Sequence, residues 1–370
     1  MAGRANYWDY IRVEELLSLQ GGLERDASHV SNDELRFITI HQIDELWFML
    51  VLRELAEARD LFGRDHVPET ALASAVAALR RVVLIFDLAA RHFRLMETMR
   101  TQDYLQFRDK LSPASGFQSA QFREIEILLG LDEAQRLAFG NESSYLDAMR
   151  EPDGSASPAL RRVQKRQAER PTLKDAVYAW LRRTPISGSS PTDSGDERIV
   201  GDFVQSYLNS HSRSLDETKQ ATLKMQALTA ADEARLDARY EAERQQAQRY
   251  LEALDAGDDE RASRRRLRAA ILFVDTYRQL PLLSWAGEVV DALIELEQGL
   301  LVFRQRHARM VERVIGRRVG TGGSEGVAYL DRTALEYRVF GDLWAARTLL
   351  LQPDQVPPVQ NAEFYGLRNS

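Results

Sequence analysis

Cysteine is absent from the 370-residue sequence, which excludes disulfides, iron–sulfur clusters, thiolate ligands and thiol nucleophiles together. Any metal must be held by His, Asp, Glu, Tyr or Met. No run approaches the ~18 uninterrupted apolar residues of a membrane span, and the opening segment MAGRANYWDYIRVEELL lacks the apolar stretch of a secretory signal. A soluble, cytoplasmic chain with no membrane partner is expected. A basic surplus is missing too: 49 Lys and Arg face 56 Asp and Glu, a formal charge of −7, so no nucleic-acid partner is expected. Period-two alternation with β-branched enrichment is nearly absent, which argues against sheets.

What is present is apolar residues at three- and four-residue spacing, the pattern of a mainly helical chain long enough to bury a large core unaided. The expected fold class is all-α, a bundle of long helices within a single domain spanning 1–370. Ser31 and Glu34 have capping-box spacing, and a helix is predicted from there to about Phe62. A second runs from near Pro68 to about Met99, and a shorter one from Gln118 to Leu129, ended by Gly130. Between 131 and 260 the text predicts short helical pieces, a mobile loop at 186–197 (ISGSSPTDSGDE) and a solvated, charged helix. Periodicity resumes from Ala262, breaks at Pro281, and continues from Trp285 to about Ile315, stopped by Gly316. A glycine-rich loop (GRRVGTGGSEG, 316–326) precedes a last long helix predicted over 332–351.

Two histidines sit inside apolar helix stripes. Around His307, the residues Leu300, Phe303, Met310, Val311 and Val314 lie at −7, −4, +3, +4 and +7, so its imidazole points inward. A buried imidazole needs a hydrogen-bond partner or a metal, since leaving it unsatisfied costs about 1–3 kcal/mol. A core histidine bonded to a neighbouring helix is one reading, and a ligand is the other. His41 follows Phe37 by one turn and precedes Phe48 by two. Such an aromatic setting suits either core packing or a flat heteroaromatic ligand whose ring N–H meets the imidazole. Tyr104 and Arg108 share a face if YLQFR is helical; the guanidinium then serves either a substrate carboxylate or a surface ion pair. GTGGSEG lacks both the glycine spacing and the preceding strand of a dinucleotide fingerprint, and Thr321 there supplies a hydroxyl.

These pieces together resemble the tryptophan 2,3-dioxygenase family. The strings that carry the resemblance are YWDYIRVEELLSLQ, FITIHQIDELWF, TMRTQDYLQFRDKLSPASGFQSAQFREIE, AWLRRTP, RHARMVERVIG, GTGGSEGVAYL and FGDLWAARTLLL, in the family's order over roughly 7–350. The resemblance implies a haem b enzyme, active as Fe²⁺, that uses O₂ to cleave the indole C2–C3 bond of L-tryptophan, giving N-formyl-L-kynurenine in kynurenine-pathway tryptophan breakdown. It implies that His307 is the axial ligand of the haem iron and that His41 meets the indole N–H. Phe37 and Tyr104 would line the pocket, Arg108 would clamp the carboxylate, and Thr321 would receive the ammonium. It also implies a homotetramer in which the segment 1–30 of one subunit completes a neighbour's pocket through Tyr7, Tyr10 and Ile11. The region 131–260 matches the family only at AWLRRTP, and nothing is carried across for it. The same frame also fits a haem enzyme oxidising a substituted tryptophan or other aromatic amino acid, or a non-catalytic haem- or tryptophan-binding protein.

Overall fold

The computed structural model describes residues 6–111, 119–137, 146–151, 153–225, 229–318 and 326–366, with residue 148 described through its backbone alone. Among these the fold is all-α, as expected, and no strand forms beyond two isolated bridges. The helices in chain order are α1 (Tyr7–Tyr10), α2 (Val13–Leu17), α3 (Asn32–Phe62), α4 (Glu69–Met96), α5 (Thr101–Leu111), α6 (Ala120–Leu129) and α7 (Pro158–Ala168). Next come α8 (Leu173–Arg182), α9 (Asp196–Met225), α10 (Ala230–Leu251), α11 (Asp258–Thr276), α12 (Pro281–Ile315), α13 (Val327–Glu336) and α14 (Gly341–Thr348). No helix of the described residues is long and apolar enough to cross a membrane.

The chain divides into two compact units, one of residues 1–56, 80–172 and 296–339, the other of 57–79, 173–295 and 340–370. Helix ends in the first unit follow local chemistry. Ser31 Oγ accepts the Glu34 backbone N–H at 3.2 Å and starts α3. The Glu34 carboxylate turns instead to Lys110 Nζ on α5, 2.8 Å away, where the spacing had suggested a capping box. Ser119 caps α6, and Gly130, at φ +104°, ends it in a conformation other residues resist.

The expected last helix over 332–351 is instead two, α13 and α14. The buried Glu297 carboxylate takes the backbone N–H of Val339, which a continuous helix would have spent on its own carbonyl ladder. Within 131–260 the expected short pieces are α7 and α8, of 11 and 10 residues, and the second unit adds what was not expected, the 30-residue α9. Its apolar stripe of Val200, Phe203, Val204 and Tyr207 is buried, and the charges that masked this stripe lie on the outer face. Residues 186–195 form a loop, and 196–197 already open α9. Arg266 donates to the Thr184 and Ser189 carbonyls at 3.0 and 3.2 Å and pairs with Asp196 at 3.0 Å.

Candidate active site

A cavity in the first unit is walled by α3, α4, α6, α12 and α13. His41, on α3, opens its ring to the cavity. Its Nδ1 lies 2.7 Å from the Phe37 carbonyl oxygen. A carbonyl only accepts, so Nδ1 carries the proton and Nε2 keeps a free lone pair. Surrounding protein holds the His41 pKa below the ordinary imidazole value.

His307 enters from α12, its ring 5.4 Å from that of Phe93. One turn earlier Phe303 is the hub of the aromatic wall, with ring centroids 6.0 Å from Phe48, 5.3 Å from Phe93 and 5.7 Å from Phe122. Burial, helped by His41, pushes the His307 pKa down to about 4, so the imidazole is neutral in ordinary buffers. Among the described residues it has no hydrogen-bond partner. A half-buried neutral imidazole facing a cavity with a lone pair to give is a ligand donor set of one.

The polar side of the cavity carries a buried charge cluster. Glu126, 2% exposed, accepts from Arg123, Arg136 and Arg304 at 2.7, 2.7 and 2.6 Å. Burial alone would raise the carboxyl's pKa, but Arg123, Arg304 and Arg136 overcome it and hold it at about 2. Arg136 also pairs with Glu133 at 3.1 Å, and Arg123 and Arg304 line the cavity. Glu45 is fixed there by Ser119 Oγ at 2.5 Å and Gln121 Nε2 at 2.8 Å. Asp44 also lines the wall; burial first, then Glu45, pushes its pKa up to about 7.

The sequence-predicted residues fall into three groups. Phe37, His41, Tyr104 and Arg108 come together: Phe37 lies 4.1 Å from the His41 ring and 6.4 Å from Tyr104. With α5 helical, Tyr104 and Arg108 share a face, and Arg108 is hydrogen-bonded to the Tyr104 hydroxyl. Of these four only His41 also lines the cavity that His307 faces. Tyr7, Tyr10 and Ile11 stand apart, 75, 80 and 43% exposed. Thr321 lies outside the described residues. Sequence reasoning missed Asp44, Arg123, Glu126 and Arg304; the available signal was charge set inside apolar runs, as in FREIEILL and VFRQRH.

The model of the tryptophan 2,3-dioxygenase family matches residues 1–350. The chain belongs to the tryptophan 2,3-dioxygenase family. It is 55% identical over 369 residues to the tryptophan 2,3-dioxygenase of Sorangium cellulosum, covering 98% of this chain and 87% of that protein. It is 50% identical over 364 residues to tryptophan 2,3-dioxygenase 2 of Ralstonia nicotianae, covering 98% of this chain and 97% of that one. The likeness extends to the insect enzyme of Anopheles gambiae, at 33% over 360 residues, 96% and 88% of the two chains.

Proposed function

We propose that this chain is a haem-dependent dioxygenase that cleaves the indole C2–C3 bond of L-tryptophan with O₂, giving N-formyl-L-kynurenine. The observation that carries the reading is a pair of neutral imidazoles, His41 on α3 and His307 on α12, lining one aromatic cavity. The fit to haem b rests on two features of this cavity. His307 presents an imidazole with no other partner among the described residues, and Arg123 and Arg304, which line the cavity, are the cations that would meet the propionates.

His307 would hold the iron, and the ferrous haem, when bound, supplies the oxygen chemistry. The chain's own groups orient and shield the substrate. His41 accepts the indole N–H at Nε2, the nitrogen its Phe37 hydrogen bond leaves free. Arg108 meets the carboxylate with two parallel N–H bonds, and Tyr104 holds that guanidinium in place. Thr321 receives the ammonium. Phe37 supplies apolar surface beside the indole, and the aromatic wall excludes water, so encounter becomes near-attack geometry. No protein nucleophile takes part.

The assembly is proposed to be a homotetramer. Tyr7, Tyr10 and Ile11 are too exposed to serve their own subunit's cavity and would complete a neighbour's. Exposed Leu46, Met49 and Leu50 on α3 and Leu84 and Leu88 on α4 form apolar surface that a second copy would cover. A cytoplasmic location, in keeping with a cysteine-free chain, belongs to the same proposal. The test is product: hemin-loaded, anaerobically reduced protein given L-tryptophan and then ¹⁸O₂ should form N-formylkynurenine with both oxygens labelled. A hydroxylated tryptophan, or one labelled oxygen, would overturn the reading.

A further inference from the structure

We infer that Asp44 and His92 form a proton-holding pair in the cavity wall, which takes up a proton as an anionic tetrapyrrole enters, so that cofactor loading tightens as pH falls. The inference rests on the haem reading above, and its test separates the two. Asp44 is 7% exposed and sits three residues past His41 on α3, facing the same cavity. Its Oδ1 is enclosed and, among the described residues, has no hydrogen bond; the same holds for His92 Nδ1 on α4. The two atoms lie 3.7 Å apart. That is too far for a hydrogen bond and near enough for a small side-chain rotation to make one. One shared proton leaves the pair neutral; without it, a carboxylate is stranded in a poorly solvated wall.

The charges facing Asp44 make that proton matter. From its own helix come Glu45, fixed as an acceptor, and the neutral His41; α4 brings His92. From α6 come Arg123 and Glu126, from α12 Arg304 and the neutral His307, and from α13 Tyr329, whose pKa burial raises. Among the groups that line the cavity, Arg123 and Arg304 cancel Glu45 and Glu126. The state of Asp44 therefore decides whether the lining is neutral or negative as a dianionic ligand arrives. Burial places its titration near neutrality, and added propionate charge moves it higher still.

A group whose pKa rises on binding gives its full contribution below the free value and loses it as pH climbs through the bound value. The proton comes from solvent, one O–H bond forms on the carboxyl, and no electrons move.

The probe is metal-free protoporphyrin IX, which carries the propionates but cannot bond through iron to His307. Titrated by fluorescence into wild type, it should bind roughly tenfold more weakly at about pH 8 than at about pH 6, while Asp44→Asn should be nearly flat. Titration of the propionates and of the other cavity groups is common to both proteins and drops out of the comparison. Calorimetry of wild type in two buffers of different ionisation enthalpy should show proton uptake at the higher pH, whether or not the variant folds. Equal pH dependence in both proteins, or no proton uptake by wild type, overturns the inference. No proton uptake and no binding by wild type of either this probe or hemin at any pH overturns the haem reading as well.

Discussion

Each unit buries an arginine cluster, and the two are put together differently. In the second unit Arg268 gives Nε to Asp342 at 2.8 Å, Nη1 and Nη2 to Asp255 at 2.5 and 2.8 Å, and Nη1 again to the Tyr250 carbonyl at 3.0 Å. One cation meets two carboxylates, and every face of the guanidinium is used. In the first unit three guanidiniums share the carboxylate of Glu126; Arg136 also pairs with Glu133 at 3.1 Å, and the other two face a cavity. Satisfied charge of the first kind ties helices together. Charge of the second kind also lines a cavity, where an anionic ligand would meet it.

Substitution can break that comparison. Glu126→Gln, which removes the counter-charge that three buried guanidiniums share, should cost about 3–5 kcal/mol of unfolding free energy, read from the shift in denaturant midpoint; an unchanged midpoint would mean the cluster is better solvated than its burial indicates. Arg268→Met should cost a similar or slightly smaller amount, about 3 kcal/mol, because Asp255 is partly exposed and keeps some solvation. Porphyrin affinity in folded Arg268→Met should match wild type, and a loss there would erase the distinction between the clusters. Arg123→Met is expected to do the reverse, weakening porphyrin binding about tenfold or more while moving the denaturant midpoint less than Glu126→Gln does.

pH gives a further handle. The Glu126 pKa is held at about 2, below its ordinary 4.5. A depressed carboxyl contributes stability that is complete above its unfolded value and is lost as pH falls through its folded one. Unfolding midpoints should therefore drop between about pH 5 and pH 2, and Glu126→Gln should flatten part of that slope; an identical acid profile would show that other carboxylates dominate. The smallest expected effect lies at the substrate shelf. Arg108→Lys should keep the charge, lose the fork and raise KM for L-tryptophan, costing roughly 2 kcal/mol in kcat/KM. Wild-type KM would remove Arg108 from the substrate.

The two units also differ in how much of them could be read from sequence. In the first, His307 lies in an apolar stripe whose period is visible, and Ser119 and Gly130 announce both ends of α6, because caps and periodicity are local. The Glu126 cluster was not legible: Arg304 is 178 residues away along the chain, and nothing near FREIEILL names its partner. The split between α13 and α14 had the same origin, a side chain 42 residues distant capturing one backbone N–H. In the second unit α9 read as fragments because its apolar stripe is narrow and its outer face is charged. Proximity in sequence was the limit in each case.

The account stands most directly on a hemin titration of wild type beside His307→Ala, followed by gel filtration and absorbance. Wild type should retain one hemin per chain with a sharp Soret band, and the variant should emerge colourless with its helical circular dichroism intact. Equal retention and an identical spectrum in the two proteins would contradict the assignment of the iron to His307.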